Sequence, residues 1–142
     1  MSRQFDPEQF VQMAGDAIVA ASADGAIVVW NPAAERIFGY TEQEALGRSL
    51  DLIIPERFRQ RHWDGYREVM RTGHTKYGTD VLRVPAIHKD GRTLSIAFTV
   101  TLMRAPDTQA WVIAAIIRDE TTRWNEEREL RRRLAELEAK WT

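Results

Sequence analysis

Three histidines, His62, His74 and His88, are the side chains of this 142-residue sequence best suited to acid–base or metal chemistry. No two of them are four residues apart, so a helix would not bring two together as metal ligands. The sequence has no cysteine, which excludes disulfides, thiolate metal sites and thiol catalysis. The nucleophile and phosphate-loop motifs G-x-S-x-G and G-x-x-x-x-G-K are also absent. We therefore expect a protein that is not an enzyme and that binds no metal.

Charge and hydropathy restrict the partners of the chain. It carries 20 Lys and Arg against 21 Asp and Glu, a net charge of −1, so no basic excess favours nucleic acid or anionic lipid. No apolar run approaches the roughly 20 residues that span a bilayer, and the N-terminus lacks the apolar core of a secretory signal. We expect a cytoplasmic protein that binds neither nucleic acid nor membranes.

Turn and capping signals divide the chain into short elements. Asp6-Pro7 and Asn31-Pro32 each predict the beginning of a helix, and Asp24-Gly25 predicts a tight hairpin. Apolar and polar residues alternate over 94–102, which is the clearest strand pattern in the chain. The element order, two strands, three helices and three strands, predicts an α+β fold. We expect a five-stranded antiparallel sheet with helices on one face, plus an N-terminal helix.

The last 24 residues have a different composition. Seven acidic and six basic residues lie in 119–142 without Gly or Pro, which predicts a solvated helix. We therefore divide the chain into an N-terminal cap helix (1–14), a core domain (15–118) and a C-terminal linker helix (119–142). The helix carries one apolar stripe, spaced four, three and four residues apart as in a coiled-coil seam: Leu130, Leu134, Leu137 and Trp141.

A second apolar surface belongs to the last predicted strand, which is apolar on both faces. Its outer face must be covered, and the candidates are the N-terminal cap helix, which is partly apolar, and a partner subunit. We expect a homodimer in which the outer strand face, the cap helix and the stripe of the C-terminal helix meet a second copy: Val112, Ala114, Ile116, Phe10 and the four stripe residues. The alternative is a C-terminal helix that folds back on its own domain.

These motifs, taken in order, resemble those of the PAS domain family. The resemblance covers roughly Phe10 to Arg123. It rests on Asp24-Gly25, Trp30-Asn31-Pro32-Ala33-Ala34, Ile37-Phe38-Gly39-Tyr40-Thr41, Glu44, Leu46-Gly47-Arg48, Pro55-Glu56, Thr72-Gly73, Lys89-Asp90-Gly91, Arg118-Asp119 and Thr121. One departure is Glu120, where the family usually has an apolar residue that packs the exit helix onto the sheet. We expect this junction to be looser than in the family.

The resemblance implies a sensory and dimerisation module of bacterial-type signal transduction rather than an enzyme. Such domains hold a ligand between the sheet and the helices, or hold none, and pass a change through the exit helix to an output domain. A kinase, a cyclase or a transcription factor outside this chain would supply the output and the link to transcription regulation. The alternative is a ligand-free adaptor with a solid core that serves dimerisation alone.

The pleat of the strands and the spacing of the helical residues define the expected pocket. Its ligand would be small and apolar or aromatic, with His62 and Tyr66 as polar contacts. The pocket residues are Ile37, Phe38, Ile53, Phe58, His62, Trp63, Tyr66, Leu82, Val84, Ile96, Phe98, Val100, Ile113 and Ala115.

Haem is the most specific cofactor hypothesis, because 61–66 is similar to the iron-binding helix of rhizobial oxygen-sensor PAS domains. In that group the ligand histidine stands three residues before a tyrosine, whereas His62 stands four before Tyr66. One residue on a helix is a rotation of about 100°. Leu82 occupies the position of the oxygen-contacting arginine. We therefore expect no haem. We also expect no flavin, since light-driven adduct formation in that class of PAS domain needs a cysteine.

Overall fold

The structure, a computed structural model, describes residues 4–75 and 78–141. The strands form one antiparallel sheet in the order β2-β1-β5-β4-β3, so the first and last strands along the chain become neighbours in the middle. This confirms the predicted α+β fold and five-stranded sheet. The elements are α1 (Pro7–Met13), β1 (Ala17–Ser22), β2 (Ile27–Trp30), α2 (Pro32–Phe38), α3 (Glu42–Ala45), 3-10 turns at Leu50–Ile53 and Glu56–Phe58, α4 (Arg59–Thr72), β3 (Leu82–Ile87), β4 (Thr93–Arg104), β5 (Trp111–Asp119) and α5 (Thr121–Lys140).

Asn31 joins three of these elements. It is fully buried, and its Oδ1 accepts hydrogen bonds from the backbone N–H of Ala34 at 3.1 Å and of Ile18 at 2.9 Å. Its Nδ2 donates to the carbonyls of Val11 and Asp16. One side chain therefore caps α2 and fixes α1 and β1 against it. Because each polar atom has a partner, the buried amide has no uncompensated desolvation cost.

The packed core lies between the sheet and α2. Trp30 and Phe38 are fully buried with ring centroids 5.5 Å apart, and the Trp30 indole N–H donates to the Tyr40 carbonyl at 2.9 Å. Smaller apolar side chains surround this pair: Ala17, Val19, Ile27, Ala34, Ala45, Ile53, Ala86, Leu94, Ile96 and Ile117.

The C-terminal helix α5 touches the domain at its root. The Glu120 N–H donates to the Ser95 carbonyl at 2.8 Å, and the Ser95 N–H donates to Thr121 Oγ1 at 3.0 Å. No residue of α5 is buried, and Leu130, Leu134, Leu137 and Trp141 are 62, 57, 53 and 88% exposed. The helix does not fold back on its own domain, so that alternative is wrong. Within 4–75 and 78–141, no helix combines the length and the apolar character that crossing a membrane requires.

Candidate ligand cavity

A cavity of about 1050 Å³ separates α4 from the inner face of the sheet. Eleven of the predicted pocket residues line it: Ile53, Phe58, His62, Tyr66, Leu82, Val84, Ile96, Phe98, Val100, Ile113 and Ala115. The sheet register explains this grouping, because partners across an antiparallel pair share a face. Phe98 lies opposite Leu82 on one side and opposite Ile117 on the other. Val19 and Ala21 also line the cavity, and the sequence analysis missed them because it did not predict that β1 lies beside β5.

Three predicted pocket residues do not line this cavity. Phe38 is fully buried against Trp30, and Ile37 packs against the same core cluster. Trp63 packs outside the cavity against Gly25 of the β1–β2 hairpin, and its indole N–H donates to Asp51 Oδ1 in the Leu50–Ile53 turn at 2.7 Å. Its ring would lie 2.2 Å from a Cβ at Gly25, so only glycine allows this contact. Trp63 therefore fixes α4 to the hairpin instead of facing the cavity.

Tyr66 also lines the cavity, but its hydroxyl is already engaged. The Oη–H donates to the Ser22 carbonyl at 2.5 Å, at the end of β1. Burial raises the pKa of Tyr66, so the hydroxyl keeps its proton and remains a donor. The sequence analysis expected this hydroxyl to contact a ligand. The structure assigns it to holding α4 against the sheet.

His62 is a partly buried polar residue of the cavity wall whose ring nitrogen Nδ1 lacks a partner among the described residues. Its Nδ1 is buried and has no hydrogen bond to any of the described residues. The rings of His62, Trp63 and Tyr66 contact one another, with centroid distances of 4.6 Å for His62–Trp63, 5.6 Å for His62–Tyr66 and 5.1 Å for Trp63–Tyr66. Burial lowers the pKa of His62, and the Asp51 carboxylate opposes this effect. A neutral imidazole supplies one donor and one acceptor, and a buried polar atom without a hydrogen-bond partner is an unusual feature of a protein structure.

The cavity reaches the surface between α4 and the edge strand β3. Arg61 and Glu68 on α4 and Val84 on β3 are exposed residues of its lining. Glu68 forms an ion pair with Arg71, which lowers the pKa of Glu68. Arg61 forms no ion pair with the carboxylates of the described residues. The described side chains also include no group of three His, Asp or Glu placed to hold a metal ion.

The predicted dimer surface is exposed to different degrees. Phe10 is 59% and Ile116 is 51% exposed, whereas Val112 and Ala114 are half-buried. Ile116 lies opposite Ile18 on β1 and Thr99 on β4, so it sits in the middle of the outer face. Ala114 contributes to the cavity lining as well. Of the three predicted contact residues of β5, Ile116 is therefore the most exposed.

Comparison with known proteins agrees with this architecture. The family model for the PAS fold matches residues 6–119. An uncharacterised protein of Azorhizobium caulinodans is 34% identical over 118 residues, which is 82% of this chain and 16% of that protein. The sensor protein FixL of Bradyrhizobium diazoefficiens is 32% identical over 91 residues, which is 63% of this chain and 18% of FixL. The crystal structure of a PAS domain from Colwellia psychrerythraea superimposes with a TM-score of 0.68 at 21% identity, covering 81% of this chain and 94% of that one.

The chain belongs to the PAS family, as its motifs had indicated. It is a sensory domain related to those of bacterial sensor proteins. The match spans less than a fifth of the length of each of these two relatives.

Proposed function

We propose that this domain senses a small, mostly apolar ligand in the cavity between α4 and the sheet. The observation that carries the proposal is the cavity itself, about 1050 Å³ with an unpartnered imidazole in its wall. Protein interiors are close-packed and their buried polar groups are paired, so a space of this size with a free buried nitrogen favours a binding site over a solid core. Its volume and apolar lining match those of small-molecule sites.

The signal would leave the cavity through β5 and α5. Ile113, Ala115 and Ile117 line the cavity from β5, and α5 begins four residues after Ile117. The hydrogen bonds of Glu120 and Thr121 to Ser95 attach the root of the helix to β4. A ligand that shifts β4 against β5 would therefore move the helix root.

The signal would be received by a homodimer in which the α5 helices of the two subunits pair. The stripe on α5 is exposed along its length, although a helix of about 20 residues is only marginally stable alone in water. Pairing along the stripe would cover it, together with the outer face of β5. The output domain would be a kinase, a cyclase or a transcription factor, joined to α5 in a longer chain or bound to it.

A pair of neighbouring substitutions tests the ligand site. Val100 lines the cavity from β4, whereas the next residue, Thr101, is exposed and does not line it. Val100→Trp should fill the cavity and abolish the rise in Tm that cavity-binding compounds produce, while Thr101→Trp should keep that rise. The proposal is wrong if the protein carries no small molecule by native mass spectrometry and no compound in a metabolite screen raises its Tm.

A ligand-free dimerisation adaptor is the second candidate, because the α5 stripe is exposed independently of the cavity. An adaptor would dimerise equally well with a filled cavity and would show no ligand response. Sedimentation of Val100→Trp, together with the Tm screen, separates the two functions.

A further inference from the structure

We propose that the cavity accepts an amphipathic carboxylic acid, with its apolar body inside and its carboxylate at the mouth between Arg61 and His62. This inference rests on the proposed function, since it names the class of ligand for the same cavity.

The interior of the cavity requires an apolar ligand body. Aliphatic and aromatic side chains from four strands, α4 and the two 3-10 turns form most of its wall, with Phe58, Phe98 and Ile113 among them. The Tyr66 hydroxyl is occupied by Ser22, so it offers no donor to a ligand. A ligand body with several polar groups would leave them unpaired, at a cost that an apolar chain or ring avoids.

The charge at the mouth selects the head group. Arg61 lines the cavity without an ion-pair partner among the residues at 4–75 and 78–141, whereas Glu68 is neutralised by Arg71. Arg83, the other arginine of the lining, lies near Glu120. The charge left unmatched on α4 is therefore the single positive charge of Arg61. One carboxylate would match it, whereas a cationic head group would be repelled and a neutral one would leave it unpaired.

His62 supplies the second contact at the head group. It follows Arg61 directly on α4, and both residues line the cavity. An imidazole N–H and a guanidinium can donate to the two oxygens of one carboxylate, and such charge-assisted hydrogen bonds are stronger than neutral ones. The contact would be made by Nε2, because Nδ1 is buried away from the cavity space.

Calorimetry with three probes of equal chain length tests this inference: decanoate, 1-decanol and decyltrimethylammonium, all below their aggregation concentrations. Decanoate should bind at least about tenfold more tightly than decanol, and the ammonium compound should bind weakest. Arg61→Gln should weaken decanoate binding about tenfold or more and leave decanol binding unchanged, as expected for the loss of one charge-assisted hydrogen bond. Arg57→Gln is the matched control, because Arg57 is exposed near α4 but does not line the cavity.

Two results would overturn the inference, and both leave the proposed function separately testable. Equal affinity for decanoate and decanol with no effect of Arg61→Gln would show an apolar site that does not select acids. Binding of neither probe, while other compounds raise the Tm of the wild type but not of Val100→Trp, would show a cavity with a different ligand class. A complete lack of response to any compound would instead contradict the proposed function.

Discussion

The guanidinium of Arg83 lies 3.9 Å from the carboxylate of Glu120, which connects the strand at the cavity edge to the residue before α5. Glu120 also lies 3.3 Å from Arg123 in the first helical turn, and its side chain is only 16% exposed. The junction is charged: two arginines and a backbone hydrogen bond to Ser95 contact the residue at the position that the family resemblance gives as usually apolar. That Glu120 makes the junction looser than in the family stays a prediction.

The substitution Glu120→Gln should loosen the root of α5 without unfolding the domain. Removing the carboxylate charge weakens the ion pairs with Arg83 and Arg123. Because both arginine side chains are largely exposed, each ion pair is worth about 1 kcal/mol or less. Hydrogen exchange of the amides at 121–124 should therefore accelerate, while the core strands keep their protection. Glu127→Gln is the control, because Glu127 pairs with Arg123 from further along the helix. Unchanged exchange at 121–124 would show that the backbone contacts alone fix the junction.

Two phenylalanines should differ in their contribution to stability. Phe38 is fully buried against Trp30, so Phe38→Ala should lower the free energy of unfolding by about 3–5 kcal/mol. Phe98 borders the cavity and is only half-buried, so part of the space that Phe98→Ala opens is already present. Its cost should be about 1–3 kcal/mol. Urea unfolding of both variants measures the difference, and equal losses would mean that Phe98 lies in a packed core.

The pattern of β4 was sufficient to predict the inner face, because alternation along a strand and the pairing of neighbours fix which side chains share a face. It placed Ile96, Phe98 and Val100 correctly in one wall. The sequence could not show which apolar residues pack in the solid core and which border the cavity. Phe38 and Phe98 are both apolar at regular spacing, and only the position of α2 against β1 and β2 buries one and leaves the other at the cavity.

The helical side was harder to predict for a related reason. His62, Trp63 and Tyr66 lie within five residues of one another, and the sequence analysis assigned all three to the pocket. Their hydrogen-bond partners give them different roles. Trp63 donates to Asp51 and Tyr66 donates to Ser22, whereas His62 has no hydrogen-bond partner among the described residues. These partners lie 12 and 44 residues away in sequence, and local spacing contains no signal for them.

His62 should make the stability of the protein depend on pH. Its pKa is lower in the folded state than the ordinary value of 6.5, mainly because of burial. Below that value the unfolded chain binds a proton that the folded chain does not, so the free energy of unfolding falls as pH decreases from about 7 to 5. In His62→Gln this loss should be smaller, as measured by urea unfolding at each pH. The control is His74→Gln, because His74 is exposed, and it should keep the wild-type dependence.

The protein should not form a six-coordinate haem complex through His62. By the resemblance given in the sequence analysis, His62 stands one residue further from Tyr66 than the ligand histidine of the rhizobial oxygen sensors, and Leu82, which lines the cavity, takes the position of their oxygen-contacting arginine. Titration with hemin should give no sharp Soret band that depends on His62. Because His62 does line the cavity, the decisive comparison is wild type against His62→Ala. A sharp Soret band that the wild type shows and His62→Ala lacks would contradict this prediction. It would indicate that the cavity binds haem and not a small apolar molecule.

Dimerisation should depend on the stripe of α5, and loss of the dimer should leave the core of the domain folded. Leu134 lies in the middle of the stripe and is 57% exposed, so Leu134→Asp places a charge in the proposed seam without disturbing the domain. Sedimentation at tens of micromolar should show a dimer for the wild type and a weakened dimer for Leu134→Asp. Their Tm values at low protein concentration should agree, because no core residue belongs to α5. Ala135→Asp is the matched control, because the neighbouring residue carries the same new charge outside the stripe.

Truncation after Arg123 extends this test, since it removes the stripe and keeps the root contacts of Thr121. The shortened chain should remain folded and lose most of its dimer. A dimer that survives both Leu134→Asp and the truncation would assign pairing to the outer face of the sheet around Ile116, where Ile116→Asp should then abolish it. A wild-type monomer would contradict the homodimer, and the signal would then have to leave the domain by a change at the root of a single α5 helix.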